Sequence, residues 1–160
     1  MAKLQDCQFI EIKIDGNTID GASEEEAYKG WMEGYAPAGI STTAGPDSTY
    51  FDAVHCSVLV TKETSKLFEK YLMRGYKNIA ITIVHRGSSN INSNYEVQRT
   101  VYDSCNFQNM SYELRDNLFL HFSFDFESTV AVTFNVPNNK NDDLDKIGPI
   151  KYSLPAKKIV

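Results

Sequence analysis

The 160-residue chain contains no long apolar run, although hydrophobic residues make up 42% of it. A membrane-spanning helix needs about 20 consecutive apolar residues, so none is expected. Basic charge is scarce: 16 Lys and Arg stand against 21 Asp and Glu, a formal net charge of −5. That leaves no broad positive field to attract nucleic acid or an anionic membrane surface. Cysteine is limited to Cys7, Cys56 and Cys105, odd in number and far apart. Cys56 and Cys105 fall within strand-like stretches, where a thiol behaves as a small hydrophobe rather than as a bridge or ligand. Synthesis in a reducing cytoplasm fits this usage. Met1–Ile10 shows no charged-then-apolar leader, so no secretory signal is expected.

Motifs that carry chemistry are missing as well. Zinc sites space their ligands as C-x₂-C or H-x₃-H, and phosphate loops read GxxxxGK[ST]; neither occurs. His55, His85 and His121 are scattered, each read as alternating out of an apolar face within a strand. Cys105 and His121 could pair by position alone, but ordinary strand residues account for both. Glu24-Glu25-Glu26 lacks the alternating oxygen ligands and bidentate Glu of a calcium loop, and reads as a solvated turn. No catalytic, cofactor-binding or metal-binding residue is assigned. A protein that is not an enzyme and acts through its surfaces is the expectation.

Against this background one helix signal stands out, in Thr61–Gly75 (TKETSKLFEKYLMRG). Leu67, Phe68, Tyr71 and Leu72 share one apolar stripe at helical period. The helix is expected over about residues 64–74, with Thr64 as N-cap and Gly75 as the left-handed residue past its end. The four stripe residues should be buried, and Lys66, Glu69 and Lys70 exposed. So short a helix needs a surface to lie on.

The rest reads as short strands and turns. Phe9–Ile14 alternates with Ile10, Ile12 and Ile14 on one face, and Asp15-Gly16 and Asp20-Gly21 mark turns. A second strand is expected from near Tyr28, carrying Trp31. Gly34–Pro46 has few apolar anchors, and Ser41–Ser48 reads as a long exposed loop. Alternation returns at Tyr50–Val60, Ile79–His85, Tyr95–Ser104 (Tyr95, Val97 and Val101 inward) and Phe107–Leu114. Arg86–Asn94 reads as a hairpin turn. Leu118–Phe126 has the strongest alternation, with Leu118, Leu120, Phe122, Phe124 and Phe126 on one face. Ser128–Val136 follows, then a polar hinge, a last strand at Ile150–Leu154 and a basic tail. About eight to ten short strands with a single helix suggest a mainly β fold: an antiparallel barrel, closed or nearly so, that the helix covers. One domain over residues 1–160 is expected. The phenylalanine stripe would fill its core or, in a lipocalin-like barrel, line a ligand pocket.

The order of segments resembles the Hcp proteins, which form the inner tube of bacterial type VI secretion systems. FIEIKIDGNTIDGAS (Phe9–Ser23) is similar to the family's opening strand and turn. Tyr50–Gly87 resembles its strand, helix and following strand, Asn94–Glu113 its next segment, and GPIKYSLPAKKIV (Gly148–Val160) its C-terminal strand. The likeness spans nearly the whole chain. Tyr35-Ala36-Pro37 replaces an aromatic-x-aromatic pair, Ser65 stands where the helix usually starts with Pro, and Leu154 where Trp is usual. A glycine-rich extended loop is reduced to Ser41–Ser48. These departures suggest a divergent member.

The resemblance implies a homo-hexameric ring, stacked on further rings of itself into a tube, topped by a VgrG-like spike protein and wrapped by a contractile sheath. Small effector proteins would ride in the lumen. The tube would form in the bacterial cytoplasm and leave the cell without a signal peptide, with no cofactor, no nucleic acid and no membrane insertion. It also implies that Ser41, Thr42, Thr43, Ala44, Gly45, Pro46, Asp47 and Ser48 reach the neighbouring ring, and that Tyr35, Ala36 and Pro37 face effectors in the lumen. A lipocalin-like ligand-binding barrel and a phage-like tail-tube protein are the alternatives.

Overall fold

The computed structural model describes residues 4, 6–37, 40–47, 49–88 and 94–160. Strands dominate. In chain order they are β1 (Gln8–Ile14), β2 (Asn17–Thr18), β3 (Met32–Tyr35), β4 (Thr42–Ala44), β5 (Thr49–Phe51) and β6 (Val54–Leu59). Helix α1 (Ser65–Met73) follows. After it come β7 (Ile79–Gly87), β8 (Tyr95–Tyr102), β9 (Cys105–Leu114), β10 (Leu118–Phe126), β11 (Thr129–Pro137), β12 (Leu144–Ser153) and β13 (Lys158–Ile159). An 11-stranded antiparallel sheet runs β13-β12-β11-β8-β7-β1-β3-β6-β10-β9, with β2 paired to β1. Strands β4 and β5 form a separate two-stranded ribbon.

The mainly β, antiparallel, one-helix expectation holds. The ladder, however, has two ends, β9 and β13, so the architecture is a β-sandwich and not a closed barrel. The sheet curls until β8 faces β10: the Tyr102 ring lies 5.2 Å from Phe124 and 5.3 Å from Phe126. Between the layers sits one large apolar cluster containing Ile10, Ile12, Ile14, Val58, Ile81, Leu120, Phe124 and Val130. The period-2 stretches bury the residues their alternation predicts in β1, β6 and β7, and in β10 from Leu120 on, while Leu118 at the start of β10 is exposed. Phe122, Phe124 and Phe126 pack on Phe107, Tyr102 and Phe51, filling this core.

Several local expectations are corrected. Tyr28 ends a 3-10 turn (Glu26–Tyr28), and the strand begins only at Met32. The reason is packing on the outer sheet face, where Tyr28 stacks on Phe9 at 4.6 Å and Trp31 meets Tyr28 edge-on at 5.2 Å. Glu96 accepts from the Tyr28 hydroxyl at 2.6 Å and from two Arg99 nitrogens, while Arg86 and Arg99 lie over Phe9 and Trp31. Such cation–π and charge-assisted contacts hold the turn where strand pairing would otherwise be needed.

In β8 the inward face is Gln98, Thr100 and Tyr102, and Tyr95, Val97 and Val101 are half-buried on the other face. Tyr102 selects this face by its fit against Phe124. The two polar residues tolerate burial because Gln98 Nε2 donates to Thr100 Oγ1 at 3.0 Å. His85 pairs across from Gln98 and is likewise buried, not alternating outward. Ser41–Ser48 is only partly a loop, since Thr42–Ala44 pairs with Thr49–Phe51; Ser48 lies outside the described residues, as does much of the Arg86–Asn94 turn. The last long strand starts at Leu144 rather than Ile150, and the tail adds the short strand β13.

Helix α1 lies over β9, with Phe68 5.1 Å from Tyr112 and Tyr71 6.4 Å from Phe107. Leu67 is fully buried and Phe68 and Tyr71 are half-buried, but Leu72 is 65% exposed. The stripe is therefore narrower than its periodicity implies, because β9 supports only one side of the helix. Lys66, Glu69 and Lys70 are exposed as expected. Thr64 does not cap by its side chain. Its hydroxyl accepts from Thr61 N–H at 2.7 Å and faces the carbonyls of Thr61 and Leu59, tying the preceding turn to the end of β6. Gly75 has the anticipated positive φ of 79°, reached already at Arg74 with 57°.

Candidate interaction surfaces

The segment Tyr35-Ala36-Pro37 is split by the alternation of β3. Gly34 allows the strand to sit close to β6, because a Cβ there would run into the Ser57 carbonyl. Tyr35 then turns outward, its ring 6.2 Å from that of Phe119. Ala36 turns inward and is fixed on both sides: its N–H donates to Gln8 Oε1 at 3.0 Å, and His85 Nε2 lies 3.2 Å from its carbonyl. Burial pushes the His85 pKa down, and the backbone carbonyls of Ala36 and Pro37 oppose that shift. Pro37 is exposed.

The β4–β5 ribbon projects from an aromatic base. Phe51 lies 5.1 Å from Phe126 and 5.6 Å from Tyr152. Ser41 Oγ donates to Asp52 at 2.5 Å, and Asp52 N–H donates to the Ser41 carbonyl at 2.9 Å, closing the open end. Beyond this base Thr42, Thr43, Ala44, Pro46 and Asp47 are exposed, Gly45 is half-buried, and Tyr50 is 63% exposed. A short hairpin anchored by one ring and presenting small polar side chains is suited to contact another surface.

A third surface was not anticipated. Tyr35 pairs with Ser57, Ser57 with His121, and His121 with Ser111, making one row across β3, β6, β10 and β9. Ser57 Oγ and His121 Nδ1 are 2.6 Å apart, and His121 Nε2 is 3.6 Å from Glu113 Oε2. Glu113 also pairs with Arg115, whose guanidinium holds its carboxyl below the usual range. The row floors a trough of about 390 Å³ whose lining includes His55, Ser57, Asn109, Ser111 and His121. Alternation in β6 and β10 does place Ser57 and His121 off the apolar face. Their juxtaposition depends on a pairing between strands 64 residues apart, which no local pattern encodes.

Cys105 and His121 are not brought together, since Cys105 is buried in the core and His121 belongs to the opposite face of β10. The Cys105 thiol lies 3.5 Å from the Tyr102 carbonyl, and burial pushes the Cys56 and Cys105 thiols well up. Neither has the lowered pKa of a reactive thiol. Within the acidic turn, Glu25 faces Arg86 at 3.7 Å.

No family model matches the sequence. No curated protein matches it either. Solved structures do. A type six secretion system protein superposes with a TM-score of 0.66 at 15% identity, over 95% of this chain and 99% of that one. Hcp1 of Salmonella typhimurium gives 0.63 at 16% identity, over 96% and 99%. Hcp2 of the same organism gives 0.62 at 18% identity, over 94% and 98%. The chain thus has an Hcp-like fold along nearly its whole length.

Proposed function

We propose that this protein is a divergent Hcp-type tube subunit of a bacterial type VI secretion system. It would form homo-hexameric rings that stack into an inner tube. The observation that carries this is the end-to-end match of fold with Hcp structures, covering at least 94% of both chains in the three comparisons above. A shared fold alone does not set function, and two further features support the assignment. The open sheet leaves different edges, β9 and β13, on one molecule, which suits a heterologous contact that closes into a ring. The anchored β4–β5 ribbon projects as a ring-to-ring contact would require.

On this assignment residues 1–160 act as one domain, and the protein is a structural component rather than an enzyme. Ser41–Ser48 meets the next ring, and Tyr35 and Pro37 are its effector-facing residues. Ala36 is withdrawn from such contact by its inward hydrogen bonds. Spike, sheath and lumen effectors are the partners, and export follows assembly in the bacterial cytoplasm. A lipocalin-like role is disfavoured because the phenylalanine stripe packs on neighbouring rings instead of lining a void.

Negative-stain imaging of the purified protein, with sedimentation over a range of concentrations, tests the proposal. Rings with a central hole are expected. A monomer at every concentration up to the millimolar range would refute it.

A further inference from the structure

We propose that the outer side of helix α1 docks an acidic amphipathic helix of a partner protein. The inference stands whether or not the chain forms rings. It begins with the side of α1 that β9 does not support. There Lys66 and Lys70 follow at i and i+4, both exposed. Exposed Arg74 comes next, its N–H still bonded to the Lys70 carbonyl at 3.1 Å. Each step of four residues rises about 6 Å along the axis, so the cations make one row about 12 Å long. Helical period sets Met73 beside this row and Leu72 farther round. These two are 68% and 65% exposed, whereas Leu67, Phe68 and Tyr71 turn toward the core and β9.

Charge selects the occupant. Residues 62–77 hold five cations, Lys62, Lys66, Lys70, Arg74 and Lys77, against the carboxylates of Glu63 and Glu69, although the whole chain carries −5. Among the described residues no ion pair joins any of the five to a carboxylate. At the end of the row a notch of about 130 Å³, lined by Lys70, Met73 and Arg74 with Asp15 and Asn17, gives a partner side chain a place to enter. Asp15 Oδ1 is already engaged there by the N–H groups of Lys77 and Asn78, at 2.8 and 2.9 Å. Carboxylates at i, i+4 and i+8 of a second helix match the spacing of the row, and its apolar side chains cover Met73 and Leu72. Exposed ion pairs are individually weak, so affinity needs the row and the apolar pair together. Glu69 falls between Leu72 and Met73 on the helical period and repels acid from that border, which directs the partner's carboxylates to the lysine side. A strand finds no strand edge to pair with on α1. Nucleic acid is not selected, because the apolar pair gains nothing from phosphate and the more acidic remainder of the chain repels it.

Fluorescence anisotropy of the full chain with a dye-labelled peptide of about 20 residues, long enough to hold a helix, tests this. The peptide carries an i, i+4 row of Glu beside a leucine stripe. A second version has Gln for each leucine, and an oligothymidylate serves as the nucleic-acid probe. Binding of the first peptide that weakens as salt rises is expected. Lys66→Glu with Lys70→Glu should weaken it about tenfold or more, since each reversal turns an attraction into a repulsion. Leu72→Gln with Met73→Gln should weaken it about threefold or more. Lys140→Glu with Lys151→Glu makes the same change in net charge elsewhere and should leave binding within about twofold. All six positions are exposed, and Lys66→Gln with Lys70→Gln serves if the reversed helix does not fold. No binding of the first peptide, equal binding of its glutamine version or of the oligothymidylate, or equal losses for the two lysine pairs would overturn the proposal. So would wild-type affinity in a folded chain altered at Lys66 and Lys70.

Discussion

Two leucines of the same helix provide a direct test of where its packing energy lies. Leu67 and Leu72 belong to one apolar stripe by sequence, yet Leu67 is 0% exposed and Leu72 is 65% exposed. Leu67 belongs to the main core cluster with residues of β6, β7 and β10. Leu67→Ala removes buried methyl groups and leaves a cavity that the β-sandwich cannot collapse, which costs roughly 2–5 kcal/mol. Leu72→Ala removes a side chain already largely in water and substitutes a better helix former, so its effect should stay within about 0.5 kcal/mol. For a domain of this size about 3 kcal/mol corresponds to a fall in melting temperature of roughly 6–12 °C. Thermal melts of wild type and both variants at one protein concentration, followed by circular dichroism, read the difference directly. Equal concentration matters because self-association would add to apparent stability. Equal losses for the two variants would show that the helix rests on its whole stripe, and would refute the one-sided packing of α1 on β9.

Other sites give distinct signatures. Gly34→Ala should destabilise the protein by more than about 2 kcal/mol, because the added methyl meets the Ser57 backbone carbonyl; chemical denaturation checks this, and a loss under 0.5 kcal/mol would count against the close β3–β6 approach. Phe51→Ala should leave the sandwich folded while loosening the ribbon from Phe126 and Tyr152, at a cost of about 1–2 kcal/mol. Hydrogen exchange should then quicken at Thr42–Ala44 and remain unchanged in β7. His85 has its pKa depressed by burial in the folded state, so the unfolded chain takes up this proton first as pH falls. The associated stability is complete above the unfolded value of about 6.5 and is lost as pH drops toward the folded one. The fall in melting temperature from pH 7.5 to 5.5 should be shallower in His85→Gln than in wild type.

The strands with clean alternation were legible in the sequence because burial on one face of a pleated strand imposes a period of two. Ile10, Ile12 and Ile14, or Phe122, Phe124 and Phe126, are placed by that rule alone. Tyr28 and Trp31 were not, since their positions come from Arg86, Arg99 and Glu96, which are distant in sequence and meet only when β7 pairs with β1 and β8 with β7. In β8 the rule pointed to the wrong face. Gln98 and Thr100 satisfy each other inside, which removes the penalty that normally keeps polar side chains outward. The β4–β5 ribbon was hidden by its composition, since Thr42–Ala44 has no large apolar residue to mark a strand and is held through Phe51 on its partner. The Ser57–His121 row was invisible for a related reason: local patterns indicate which face a residue occupies, not which strand lies beside it.

The ends of the sheet connect this fold to assembly. A strand edge presents unpaired N–H and C=O groups, and folded proteins usually shorten, charge or cover such edges. Here one end of the ladder is β9, a 10-residue strand, and the other is the short β13, beyond which most of β12 has no further strand beside it among the described residues. Exposed Leu114 lies at the first end, and exposed Ile147, Ile150, Ile159 and Val160 lie at the second. Some charge is present, in Lys146, Lys151 and Lys158, yet it is interleaved with those apolar side chains rather than replacing them. An isolated monomer gains nothing from apolar groups at both edges of an open sheet. Because the two edges differ, like-with-like pairing by a two-fold axis would cover only one of them in each molecule. A head-to-tail contact covers both, and it closes without leaving an edge only in a ring. On the proposed assignment, a ring of this kind would cover both edges of every subunit.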